Sequence, residues 1–294
     1  MKKLFLLAAM VFSLLSAKAQ ILKRSTVDEI KQGRVIVALK DDERLNEVWR
    51  AAIEKRWNYT EIIDYVPEDD AFDKLKADEV DYVLYLDTKV VARSRDYNRG
   101  GFTYSYRNEG MAIALRTGKR ANAAIQYIPP FGDDNEYTEA FINFGLDAFQ
   151  YQFEIITSKE LKSNTNLYAK FNENGNELKE KTLLVLAEWI HKKISIEEVK
   201  EIYEGKIEAV PFADWKEAIM EKQEGKAYVV VVPIPLGRSY VYYHYLMDAA
   251  TGRILGMGQP KVSFGVNIGA YNYSKNNSGF VNEKNLEIYN ELMD

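Results

Sequence analysis

The stretch RVIVALKDDERLNEVWRAAIEKRWNYTEIIDYV, from Arg34 to Val66, decides the fold class. Arg34–Leu39 is a continuous apolar run of strand length. Asp41 and Asp42 follow as N-cap candidates. From Arg44 to Trp57, the residues Leu45, Val48, Trp49, Ala52 and Ile53 recur at helical spacing, which predicts an amphipathic helix. Thr60 to Val66 reads as strand again, and Pro67 stops it. Strand, helix and strand in this order place the chain in the α/β class.

Outward from that unit, Val27–Gln32 reads as a short helix on the upstream side. Downstream, Asp69 and Asp70 open a second short helix with Phe72 and Leu75 facing inward, followed by a strand at 81–91 and a polar loop at 93–101. Phe102, Tyr104 and Tyr106 alternate with Thr103, Ser105 and Arg107, the period of a sheet with one wet face. Asn108-Glu109-Gly110 then offers a turn, and 111–115 a partner strand. A strand at 121–128 ends at Pro129-Pro130, and a long helix is expected over 136–161.

The same order recurs in the second half. Asn176–Leu186 parallels Val27–Val37, and Ser195-Ile-Glu-Glu198 is a capping box opening a helix that Gly205 closes. A strand at 206–210, a helix at 212–224, a strand at 227–232, a hairpin of 240–247 with 253–257, a strand at 261–268 and a helix at 282–292 complete it. Val35 and Leu183 stand 148 positions apart, and Tyr82 and Tyr228 stand 146 apart. The expected architecture is two similar three-layer α/β domains, each β-α-β-α-β followed by a hairpin, a strand and a helix. The expected bounds are 20–162 and 182–294, joined by an asparagine-rich linker at 163–181.

The amino terminus carries Lys2 and Lys3, an apolar run from Leu4 to Leu15, and Ala17-Lys18-Ala19, the layout of a cleavable signal peptide. A dozen apolar residues fall short of the roughly 20 that a spanning helix needs. Cleavage after Ala19 is expected, giving a periplasmic or secreted protein with no membrane span. The chain has no cysteine, which excludes both a lipoprotein anchor and a disulfide framework. Losing Lys2, Lys3 and Lys18 moves the formal charge from −5 to −8. That acidity argues against nucleic acid or an anionic lipid surface as the main partner.

Ala77-Asp-Glu-Val-Asp-Tyr-Val-Leu-Tyr85 in the first half, with Ala227–Val232 and Leu246-Met-Asp-Ala-Ala-Thr-Gly-Arg-Ile-Leu255 in the second, carry a resemblance. They are similar to the α/β domain at the amino terminus of the Tol-system periplasmic protein and in the curli secretion pore subunit. The resemblance implies a non-enzymatic role in contacts between envelope proteins. The long helix at 136–161 has no counterpart in that family.

Catalytic chemistry is thinly supplied. His191 and His244 are the only imidazoles, and there is no Gly-x-Ser-x-Gly elbow. Alternation puts His244 on one sheet face with Tyr240 and Tyr242, where it reads as a sheet-surface residue; His191 reads as a solvated side chain beside Lys192 and Lys193. Thr117-Gly118-Lys119 lacks the remaining positions of a phosphate loop. Two isolated histidines make no transition-metal set, and no metal or other cofactor is expected. The acidic clusters at Glu68-Asp69-Asp70 and Asp133-Asp134-Asn135-Glu136 both precede helices, where the helix dipole favours them. The aromatic residues are the stronger candidates for binding: Tyr104, Tyr106, Phe131, Tyr240 and Tyr242, together with His244, form the proposed ligand surface. Pro129-Pro-Phe-Gly132 is a stiff loop near the domain boundary, where clefts commonly hold ligands.

These readings favour an exported, non-enzymatic binding or interaction protein of the bacterial envelope, with an envelope protein or a glycan as partner. The alternatives are a carboxylate-based polysaccharide hydrolase and a periplasmic solute-binding receptor.

Overall fold

The computed structural model describes residues 22–99, 102–118, 122–131, 136–158, 167–236, 239–258, 266–268, 271–273 and 279–294. The expected signal segment, 1–19, lies outside them. In the first half α1 (Arg24–Gln32) leads into β1 (Val35–Leu39), α2 (Glu43–Arg56), β2 (Ile62–Pro67) and α3 (Glu68–Lys76). After these come β3 (Tyr82–Arg99), β4 (Phe102–Arg116), β5 (Asn122–Ile128) and α4 (Thr138–Thr157). In the second half α5 (Leu167–Asn172) and a 3-10 turn (Gly175–Glu180) precede β6 (Thr182–Leu186), α6 (Ile196–Ile202), β7 (Lys206–Val210) and α7 (Phe212–Met220). Then follow β8 (Lys226–Leu236), β9 (Ser239–Asp248), β10 (Ile254–Gly258), a two-stranded ribbon of β11 (Val266–Ile268) and β12 (Tyr271–Tyr273), and α8 (Glu283–Met293).

Two five-stranded mixed sheets result, ordered β2-β1-β3-β4-β5 and, read in the corresponding sense, β7-β6-β8-β9-β10. In each, the first strand pairs in parallel with the second and third, and the last three run antiparallel. The duplication read from hydrophobic patterning is therefore present as one topology used twice.

The register differs from the sequence expectation in one respect. Val35 pairs with Tyr82, while Leu183 pairs with Ala227, so the counterpart of Tyr82 is Ala227 and not Tyr228. A slip of one residue reverses the face a strand side chain occupies. Tyr228 accordingly lies opposite to the face of Leu183.

The first-half hairpin also turns elsewhere. Asn108-Glu109-Gly110 lies inside β4, which pairs with β3 as one long ribbon whose ends meet at Arg99 and Phe102. Gly110 is needed for a close approach instead: a Cβ there would stand 2.9 Å from the Pro235 ring of β8. The stretches 102–106 and 111–115 thus form one strand, and the sheet has five strands where pattern reading counted six. In the second half the expected hairpin holds, with Gly252 at φ +72° closing its turn. Of the strand expected at 261–268, the described part, β11, pairs with β12 and not with the sheet. Within the expected linker Leu167–Asn172 is α-helical and Gly175–Glu180 a 3-10 turn, and Phe171 and Leu178 in them are buried.

The crossovers explain how the halves stack. The chain leaves β1 for β2 on one side, then crosses back to β3 on the other, so right-handed connections put α2 and α3 on opposite sheet faces. Val35, Val37, Leu84, Leu86, Ile113 and Leu115 face α1, α2 and α4, while Ile36, Ala38, Val83 and Tyr85 face α3 through Ala71 and Leu75. In the second sheet Leu183, Val185, Val229 and Leu246 face α6 and α8 through Val199, Leu286 and Tyr289. Leu184, Leu186, Tyr228, Val230, Tyr245 and Met247 face α7, and also α4 of the first half.

The two repeats are therefore packed head to tail, the α4 face of the first against the α7 face of the second. Phe144 of α4 meets Tyr245 of β9 edge-on with ring centres 5.3 Å apart, and Phe141 meets Trp215 of α7 at 6.0 Å. This makes one hydrophobic core out of both repeats. Trp215 is completely buried in it, and truncating such a side chain to alanine costs about 3–5 kcal/mol.

Candidate functional site

Where neighbouring strands send their connections to opposite sheet faces, as the first strand of each repeat and the strand after it do, the helices part at the carboxyl ends and leave a crevice. The fold has two such points. In the first repeat it is the end of β1, and local side chains occupy it. The Asn46 amide holds the Lys40 backbone on both sides, accepting from its N–H at 2.8 Å and donating to its carbonyl at 2.7 Å, while the Lys40 ammonium pairs with Glu68.

In the second repeat the end of β6 opens into a cavity of about 300 Å³. Its wall combines both repeats: Pro129 and Pro130 after β5, Tyr137 and Phe141 at the start of α4, Glu188 and Trp189 after β6, Val231 and Pro233 of β8, Tyr242 of β9, and Gly279. The register shows why space remains. β8 pairs with β6 over Lys226–Tyr228 and with β9 from Ala227 to Leu236, so its far end runs on without β6 beside it.

Backbone pairing fixes the rim. Val281 donates to the Trp189 carbonyl at 2.7 Å, and His191 donates to the Val281 carbonyl at 2.8 Å, a short parallel bridge that holds Gly279 over Tyr242. A Cβ at Gly279 would stand 3.0 Å from the Tyr242 ring, closer than ordinary contact. Trp189 stacks on Phe141, with rings 6.2 Å apart and 18° from parallel, and meets Trp215 at 5.6 Å. Tyr137 packs on Phe141 and Phe212.

The polar chemistry centres on one carboxylate. The Tyr137 hydroxyl donates to Glu188 Oε1 at 2.6 Å, joining the first repeat to the second across the mouth of the cavity. Burial, then the hydrogen bond to Glu188, then the charge of Glu188 raise the Tyr137 pKa well above that of an ordinary phenol, so this hydroxyl keeps its proton. Glu188 is exposed, and among the described wall residues it is the only ionisable group besides the two tyrosines. Among the described wall residues there is no second carboxylate to make the pair that glycoside hydrolysis uses. Among the described residues no group of His, Cys, Asp or Glu has the spacing to hold a metal ion.

The sequence-based candidates scatter. Tyr242 lines the cavity, and Tyr240 lies beside it with ring centres 6.3 Å apart. Phe131 is half-buried against the shared core, its N–H directed at Met111 Sδ at 3.4 Å, while the two prolines before it line the cavity. Tyr104 and Tyr106 fall in β4, and their side chains lie outside the described residues. Asp133 and Asp134 also lie outside them, whereas Glu68, Asp69 and Asp70 form the acidic first turn of α3.

His244 requires a correction. It shares a face with Tyr242, as alternation requires, yet it is fully buried, with Nδ1 2.5 Å from the Tyr289 hydroxyl of α8. A helix 45 positions later covers that face, which strand periodicity cannot reveal. His244 belongs to the core of the second repeat and offers no surface to a ligand. His191 is half-buried against Phe280, with ring centres 6.0 Å apart.

Sequence reading overlooked Tyr137, Glu188 and Trp189. For Glu188 and Trp189 the signal was their place after the apolar strand Thr182–Leu186 with one residue intervening, at the point where the chain must leave the sheet. Comparison with models of protein families, with curated proteins and with solved structures finds no match to this chain.

Proposed function

We propose that this chain is an exported, non-enzymatic binding protein of the bacterial envelope, and that its ligand seats in the cavity between the repeats at the carboxyl end of β6. The observation that carries this reading is the cavity itself: concave, aromatic, built from both repeats, and placed where α/β sheets commonly hold ligands. The tripartite amino-terminal segment supports export, and the resemblance to envelope α/β domains supports a binding role. Glu188, the one carboxylate among the described wall residues, is engaged by Tyr137, which supports binding over acid–base hydrolysis.

Of the two alternatives, the solute-receptor reading has one observation in its favour, since the cavity lies between two α/β units. Receptor lobes close about a hinge. Here the shared core of Phe141, Phe144, Trp215 and Tyr245 joins the repeats, so the pocket is read as preformed.

The test is a thermal-shift screen of amines, amino acids, oligosaccharides and short peptides against the exported chain and a Trp189→Leu variant. The expected result is a class of ligand that raises the unfolding temperature of the native chain and leaves the variant unchanged. A ligand that stabilises both equally would remove the cavity from the account. Release of reducing sugar from a polysaccharide, lost in Glu188→Gln, would establish the hydrolase instead.

A further inference from the structure

This inference rests on the cavity reading above and names the chemical class of ligand. We propose that the cavity takes an organic ammonium group, a compact alkyl- or quaternary-ammonium cation, seated against Trp189 and Tyr242 with Glu188 at its mouth.

Aromatic faces carry the negative lobe of the ring quadrupole and attract cations that water hydrates weakly. Four of the ten described wall residues are aromatic: Tyr137, Phe141, Trp189 and Tyr242. Three prolines and Val231 supply much of the remaining wall, a surface suited to methyl or methylene groups. The ionic inventory has one sign. Glu188 brings a carboxylate, no Lys, Arg or His stands among the described wall residues, and the Tyr137 proton is already directed to Glu188. An anion would stand beside the Glu188 carboxylate with no cation among the described wall residues to offset the repulsion. A sugar brings many hydroxyls, where the side-chain polar groups of the described wall are Glu188 and two tyrosine hydroxyls, one of them already bonded to Glu188. An ammonium group with a small apolar body matches both the rings and the charge, and a cavity of about 300 Å³ suits a ligand of that size.

The tyrosine–glutamate bond also has a role in this arrangement. It fixes the carboxylate before any ligand arrives, so less ordering is left to binding.

The experiment is calorimetric titration of the purified exported chain with choline and with its uncharged carbon isostere, in which a tert-butyl group replaces trimethylammonium. Saturable choline binding is expected, with the isostere at least about 10-fold weaker, since shape is kept and only charge is lost. Glu188→Gln should weaken choline by about 10-fold, and Tyr242→Leu by about 3- to 30-fold. Glu188 is exposed, so its amide variant tests the charge without endangering the fold. Equal binding of choline and isostere, undiminished binding in both variants, or no choline binding at all would each overturn the ammonium assignment. Where choline fails but a sugar or peptide from the screen still depends on Trp189, the cavity stands and only the ligand class falls.

Discussion

The Arg56 guanidinium lies 3.1 Å from the Asp147 carboxylate with neither side chain appreciably exposed, and it binds the two repeats together from within. Arg56 closes α2 of the first repeat. Its Nε donates to Asn143 of α4 at 2.8 Å, and its Nη2 donates at 2.7 Å to the Ile219 carbonyl in the last turn of α7. That carbonyl lies at the negative end of a helix dipole, which suits a cation. Gln150 of α4 closes the group, donating to the Arg56 carbonyl and accepting from the Asn58 N–H.

Removing one partner of a buried ion pair strands the other. Arg56→Ala is expected to destabilise the chain by about 3–5 kcal/mol in urea unfolding. Asp147→Asn should cost less, because Arg56 keeps its bonds to Asn143 and Ile219. An Arg56→Ala variant as stable as the native chain would mean that the bonds of Arg56 to Asp147, Asn143 and the Ile219 carbonyl contribute nothing to stability.

Asp147 also gives a pH dependence of definite sign. Burial raises its pKa to about 6, with the charges of Arg56, Lys222 and Lys55 opposing the rise. The folded chain therefore holds this proton more tightly than the unfolded chain does. Stability from this group is complete below the ordinary carboxyl pKa of 3.8 and is lost as pH climbs through about 6. The loss is on the order of 2–3 kcal/mol. Comparing native and Asp147→Asn unfolding from pH 4 to 7 isolates it; a constant difference across that range would contradict the assignment.

Two glycines with nearly the same backbone should respond differently. Gly225 has φ +69° with nothing within 4 Å of a would-be Cβ, so Gly225→Ala meets only the left-handed penalty of about 1–2 kcal/mol. Gly252 has φ +72°, and its Cβ would stand 2.6 Å from Asp147 Cγ. Gly252→Ala should lose clearly more, because the clash falls on the buried ion pair. Thermal unfolding of the two variants side by side makes the comparison.

Two buried tyrosines supply a second contrast. The Tyr289 hydroxyl is bonded to His244, and Tyr289→Phe should cost about 1–3 kcal/mol by leaving a buried imidazole nitrogen short of that bond. The Tyr228 hydroxyl is buried with no hydrogen-bond partner among the described residues. Tyr228→Phe should be neutral or stabilising. Denaturant midpoints for the pair, read at constant m-value, decide it.

Much of the fold was legible because hydrophobic period is local. The apolar run Arg34–Leu39, the helical spacing of Leu45 to Ile53 and the capping box at Ser195 each encode an element within a dozen residues, and β1, α2 and α6 form there. The duplication was legible for the same reason, since the order of elements recurs. The turn at 108–110 was misread because glycine serves turns and close approaches alike, and the contact that settles it comes from Pro235, 125 positions away. The candidate site was legible only in part. Tyr242 and the double proline were picked out by type, whereas Tyr137, Glu188 and Trp189 resemble ordinary residues at helix and strand ends.

The sequence by itself determined the class, the repeated β-α-β unit and the caps at Asp42 and Ser195, because these follow from periodicity and backbone chemistry inside short windows. Tertiary structure alone decided which face of each sheet meets the other repeat, that His244 is buried, and that Glu188 stands 2.6 Å from the Tyr137 hydroxyl. The physical reason is that a helix or strand pattern specifies an apolar face without naming its cover. The cover is chosen when remote segments compete to bury it, and here α4 of one repeat buried the sheet of the next.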